Sequence, residues 1–155
     1  MKSAASSRPA GGEKLAGPVY LDTSALVKLY LPELESDALD RRLTGRRDLV
    51  VSELAVSEVA SAIGRRRRDG TLPDEAGTRL YRRLLGDLDE GAFLRAGVYP
   101  DTHRAAERLL LSSHLPLRTL DALHLALATQ AGAVSIVTFD RQLGSAAVSL
   151  GLSLG

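Results

Sequence analysis

Residues 134–140 read Val-Ser-Ile-Val-Thr-Phe-Asp, a β-branched run with Gly132 just before it and an acid at its end. A run this short, with these residue types, reads as a buried strand. The same pattern stands near the start, where Pro18-Val-Tyr-Leu21 leads into Asp22. Working outward, Leu49-Val-Val51 is a third segment of this kind, and 92–98 and 151–154 are further strand candidates. Between them the pattern turns helical over 24–31, where Pro32 ends the run, and over 54–68, closed by Asp69-Gly70. Helical segments follow at 74–88, 102–113 and 120–130, with a short one after Asp140. Strands alternating with helices predict an α/β domain, its parallel sheet covered on both faces.

Composition narrows the function. The chain has 155 residues and no cysteine, which excludes a disulfide framework, a zinc finger and a thiol nucleophile. Aromatic residues are 4% with no Trp, which argues against a broad aromatic platform for single strands. The net charge is +1, but residues 41–83 carry 11 Arg against 6 acids, a basic stretch beside an acidic remainder. Residues 1–17 are rich in Ser, Ala, Gly and Pro without the apolar core of a secretory signal, and read as a disordered lead-in to one domain at 18–155. No apolar run reaches the roughly 18 residues of a membrane span, so a soluble cytoplasmic protein is expected.

In parallel sheets the functional crevice lies beyond the carboxyl ends of the strands. Two acids stand there, Asp22 and Asp140, with hydroxyls beside them at Thr23, Ser24 and Thr138. Each could simply cap the helix that follows. Two further acids shift the balance. On a helical wheel of 54–68, Glu58 falls between Leu54 and Ala62 inside an apolar arc, with Arg65 and Arg68 expected to face away. Asp121 opens Leu-Asp-Ala-Leu-His-Leu-Ala-Leu-Ala (120–128), a helix apolar almost all round and so buried. His124, one turn on, reads as a packed, hydrogen-bonded histidine.

Four carboxylates that converge need a cation or raised pKa values. All-oxygen ligands suit Mg²⁺ or Mn²⁺, which fits metal-dependent phosphodiester hydrolysis. The Arg run at 65–68, on the helix that carries Glu58, makes Arg65 and Arg68 candidate contacts to a phosphate backbone, which would be RNA on the resemblance described next.

DTSALVKLYLPE, SELAVSEVASAI, LDALHLALA and TFDRQL, in this order, resemble a PIN-domain ribonuclease of the VapC toxin type. The resemblance runs from Tyr20 to the C-terminus and implies a three-layer α/β/α fold. It implies a Mg²⁺- or Mn²⁺-dependent endoribonuclease with Asp22, Glu58, Asp121 and Asp140 as catalytic acids. Asp22, Asp121 and Asp140 would be the metal ligands, and Ser24 and Thr138 the supporting hydroxyls. It also implies a homodimer restrained by a VapB-type antitoxin that offers a basic side chain to the acidic pocket. A receiver domain would need a late Lys, whereas Lys2, Lys14 and Lys28 are all early. A haloacid-dehalogenase-type phosphatase would need a second Asp where Ser24 stands. A PIN-like nucleic-acid-binding regulator with little turnover remains compatible with the same residues.

Overall fold

The computed structural model of the chain describes residues 14–155, so the expected lead-in falls outside the described residues up to position 13. Its remaining part is docked. Leu15 packs on the core, Arg46 Nη1 donates to the Leu15 carbonyl at 2.9 Å, and Ser135 Oγ donates to the Ala16 carbonyl at 2.6 Å.

The run 19–21 becomes the central strand β1 (Val19–Leu21). On one side it pairs with β2 (Leu49–Ser52), Tyr20 opposite Val50. On the other it pairs with β4 (Ser135–Val137), Tyr20 opposite Ile136. The edges are β3 (Leu94–Ala96) and β5 (Ser153–Leu154), and the order β3-β2-β1-β4-β5 is parallel throughout. The chain thus leaves β1 to one side and returns to its other side at β4. That reversal opens a crevice at the carboxyl ends of β1 and β4.

Side chains alternate across a strand, so one sheet supplies two cores. Val19, Leu21, Leu49, Val51 and Val137 enter the first, under α1 (Thr23–Tyr30), α2 (Ser36–Leu43), α3 (Glu53–Arg68) and α4 (Asp74–Asp89). Tyr20, Val50 and Ile136 enter the second, under α6 (Thr119–Gln130) and α7 (Arg141–Ser149). Outside α6 lies α5 (Pro100–Ser112), with Ala106 against Ala122, Leu123 and Ala126. The result is the expected three-layer α/β/α domain. Residues 121–128 of α6 are all buried, as its apolar circumference requires.

Two elements differ from the sequence reading. The candidate strand 92–98 contracts to an edge strand, with Leu94 half-exposed. The helix α2 was not anticipated. Its sequence, Ser-Asp-Ala-Leu-Asp-Arg-Arg-Leu, offers only Leu39 and Leu43 as an apolar stripe, too little periodicity to read, yet both are buried. Gly70 does close α3, with a φ of 77° that a side chain would resist.

Candidate active site

Asp22 and Asp140 are both helix caps and cleft residues, and the division is by oxygen. Asp22 Oδ1 accepts the Ala25 N–H at 2.9 Å and the Ser24 hydroxyl at 2.7 Å, and its Oδ2 accepts the Thr138 hydroxyl at 2.6 Å. Asp140 Oδ1 accepts the N–H groups of Gln142 at 2.8 Å and Leu143 at 3.1 Å. Its backbone N–H donates to Thr138 Oγ1 at 3.0 Å, and the Phe139 N–H donates to Ser24 Oγ at 2.8 Å. Ser24 and Thr138 therefore stitch the end of β1 to the end of β4.

Asp121 sits in the first turn of α6 and is 4% exposed. Its Oδ2 accepts the Arg118 N–H at 3.1 Å and Arg118 Nε at 3.0 Å, while its Oδ1 accepts Nη2 at 3.1 Å. The same Nη2 donates to Asp140 Oδ2 at 2.6 Å. One guanidinium thus joins two of the expected metal ligands.

Glu58 Oε2 accepts the Thr23 hydroxyl at 2.5 Å and lies 2.7 Å from His124 Nε2. His124 Nδ1 is 2.8 Å from the Tyr20 hydroxyl, which is 2.8 Å from Ser52 Oγ. An ionised Glu58 only accepts, so His124 donates from Nε2, and the tautomer with its one proton there accepts at Nδ1. Tyr20 then donates to His124 and Ser52 donates to Tyr20. Ser52 also accepts the Ala55 N–H at 3.1 Å as the cap of α3. Among the described residues no buried side-chain polar atom lacks a partner.

All four acids line one cleft of about 860 Å³, together with Thr23, Ser24, Arg118, His124 and Phe139. Their electrostatics are not uniform. Burial pushes the Asp22 carboxyl up, against hydrogen bonds from Thr138, Ala25 and Ser24. Burial works the same way on Glu58, but His124 and Thr23 outweigh it and hold the carboxyl below its ordinary value. Asp140 is also held low, because the Leu143 and Gln142 N–H groups and Arg118 overcome its partial burial. The expectation that the clustered acids have raised pKa values therefore fails at Glu58 and Asp140. Each of these carboxylates meets donors, where mutual repulsion had been anticipated.

No three acidic or histidine side chains among the described residues are gathered tightly enough to hold a metal ion. The donor chemistry still fits a hard divalent cation. The expected ligands are oxygens only, and a cationic nitrogen contacts both Asp121 and Asp140. That Arg118 side chain is 64% exposed and has solvent to swing into.

The arginines divide. Arg65 lines the cleft with Ser61, Ala62 and Arg66, whereas Arg68 does not. The expectation that Arg65 faces away is corrected: seven residues make almost two full turns, which returns Arg65 to the Glu58 face. Arg66 pairs with Glu33, which also takes Lys28 Nζ at 2.7 Å, and Lys28 reaches Glu35 at 2.6 Å. Sequence reasoning missed Arg118 and Tyr20 and named Thr23 only as a hydroxyl beside Asp22, while its reading of His124 as a packed, hydrogen-bonded histidine holds. The spacing of Arg118, Asp121 and His124, three residues apart on one helical face, was the available signal.

A parallel α/β/α sheet with a carboxylate-lined cleft at its strand reversal defines a class of α/β domain with an acidic site, and comparison with known proteins makes the class specific. The model of the PIN domain matches residues 19–148. The chain is 37% identical over 142 residues to Ribonuclease VapC46 of Mycobacterium tuberculosis, covering 88% of this chain and 95% of that protein. The crystal structure of Mycobacterium tuberculosis VapC20, described as a Sarcin-Ricin loop cleaving toxin, superposes with a TM-score of 0.64 at 18% identity. It covers 83% of this chain and 94% of that one. FitAcB from Neisseria gonorrhoeae gives 0.61 at 17% identity, over 88% and 95%. The chain belongs to the PIN-domain family, in its VapC branch.

Proposed function

We propose that this chain is the toxin of a VapBC-type pair, a Mg²⁺-dependent endoribonuclease in which Mn²⁺ can substitute. The observation that carries the reading is the meeting of Asp22, Glu58, Asp121 and Asp140 in one cleft at the strand reversal. Relatives named as VapC ribonucleases support it.

Asp22, Asp121 and Asp140 are the residues that would hold the metal. A divalent cation there supplies Lewis acidity toward phosphoryl oxygens and lowers the pKa of a water. Glu58, kept ionised by His124 and Thr23, accepts a proton from the attacking water. Water attack forms a new P–O bond and breaks the bond to the departing ribose oxygen, so the products are two shorter strands. Ser24 and Thr138 orient Asp22 and receive no charge themselves. Arg65, on the lip of the cleft, contacts a flanking phosphate. Arg68 stands outside the cleft lining, which leaves Arg65 as the stronger of the two RNA candidates.

The partners follow from the VapC branch: an RNA substrate, a second copy of the chain, and a VapB-type antitoxin that covers the acidic cleft. No helix among the described residues is long and apolar enough to cross a membrane, in keeping with cytoplasmic action. The deciding experiment is cleavage of total RNA by purified protein, with Mg²⁺ and with EDTA. Cleavage with Mg²⁺ that EDTA and Asp22→Asn both abolish is the expected result. RNA bound but never cut would favour a PIN-like regulator instead.

A further inference from the structure

Among the described residues, Phe139 is the one Phe, Tyr or Trp side chain that lines the cleft. Of the two phenylalanines, Phe93 packs against the core, whereas Phe139 belongs to no core cluster and is 41% exposed. Isolated exposed apolar side chains are ordinary. The surroundings of this one are not. It stands between Thr138 and Asp140, and its backbone N–H is tied to Ser24 Oγ at 2.8 Å, so the ring is mounted on the same stitch that positions Asp22. Lys28 Nζ lies 4.7 Å from the ring centroid and is itself held by Glu33 and Glu35. Lys28 also lines the cleft, so an anchored cation stands over the ring, which keeps part of its surface exposed.

We propose that Phe139 is a positioning residue that stacks on an unpaired base next to the scissile phosphate. The proposal rests on the ribonuclease reading and deepens it. A base stacked there fixes the register of the strand over Asp22 and Asp140. The base must be unpaired, because the ring offers a π-face and a base inside a duplex is already stacked on both of its own. Low aromatic content excludes a broad platform for single strands but leaves room for one ring at the reacting phosphate.

The chain has no Trp, which makes the test direct. On an Asp22→Asn background, Phe139→Trp introduces the chain's one tryptophan, excited selectively over the four tyrosines and titrated with a randomised unpaired 12-mer oligoribonucleotide. Quenching of its emission by the unpaired oligomer, and much less by a duplex of equal length, is expected. Phe139→Ala should weaken binding about 5- to 100-fold with little change in salt dependence, and Phe139→Tyr should restore it. Melting temperatures within a few degrees of the parent confirm that the variants fold.

Unmoved emission together with unchanged affinity of Phe139→Ala overturns the stacking while the ribonuclease reading stands. The exposed ring would then be a docking point for a protein. If Asp22→Asn with Phe139 intact binds no oligoribonucleotide and the parent cleaves no RNA, the ribonuclease reading itself falls, and the stacking with it.

Discussion

Glu58 Oε2 lies 2.7 Å from His124 Nε2, so a half-buried carboxylate on α3 is fastened to a buried imidazole on α6 across the strand reversal. His124 is in turn fastened to Tyr20 on the central strand. The proposed base is thus referenced to the sheet through two side chains.

His124→Ala leaves Glu58 and the buried Tyr20 hydroxyl short of a partner and should cost about 1–3 kcal/mol of stability. Cleavage should fall by up to ~100-fold as Glu58 loses its position. The specific signature is the acidic limb of the pH–rate profile, which should move to higher pH because the group that held Glu58 low is gone. A uniform rate loss with an unmoved limb would assign His124 to packing alone.

Stability against pH separates Asp22 from Asp140. Asp22 has a raised folded pKa, so its contribution is full below the unfolded value and is lost as pH rises through the folded one. Asp140 has a lowered folded pKa, so its contribution is present above the unfolded value and is lost as pH falls through the folded one. In metal-free protein, the melting temperature of Asp22→Asn relative to wild type should therefore climb with pH across the carboxylate range, and that of Asp140→Asn should drop. Parallel curves for the two variants would contradict both assignments.

Asp140→Ala should destabilise metal-free protein by about 0.5–2 kcal/mol through loss of the α7 cap, measured by urea unfolding. Simple repulsion among four acids would have made removal of Asp140 stabilising. The N–H groups of Gln142 and Leu143 and the Arg118 guanidinium reverse that sign.

Arg118 Nη2 joins Asp121 Oδ1 to Asp140 Oδ2, the two carboxylates proposed above as metal ligands. Arg118→Ala should lower the Mg²⁺ or Mn²⁺ concentration needed to raise the melting temperature halfway, since no side chain then competes. A higher midpoint would mean that Arg118 preorganises the ligands and does not compete for them.

Arg65→Ala, measured for RNA binding on an Asp22→Asn background, should flatten the plot of log affinity against log salt by ~0.7. Arg68→Ala should leave the slope unchanged, because Arg68 does not line the cleft. Equal slopes for both variants and the parent would remove the arginine run from RNA binding.

The alternating strands and helices were legible because each carries its own period, and a period is a local property. Asp22 and Asp140 were legible for the same reason, being acids placed just where a strand run stops. The almost wholly apolar α6 announced its own burial, and with it that of Asp121. What lacked a local signal was missed. In α2 two leucines carry all the burial, and Arg65 was placed on the wrong face although sevenfold spacing returns it to Glu58.

From sequence alone, then, came the α/β class, the parallel sheet and the identity of four acids at its mouth, since hydrophobic period and strand-end chemistry depend on neighbours in the chain. Only the tertiary structure decided what each acid meets: Thr138 for Asp22, His124 and Thr23 for Glu58, and one shared Arg118 for Asp121 and Asp140. Those partners lie up to 116 residues away in sequence. The sign of a pKa shift depends on the balance of burial against donors brought in by packing, and that balance does not exist until the sheet has assembled.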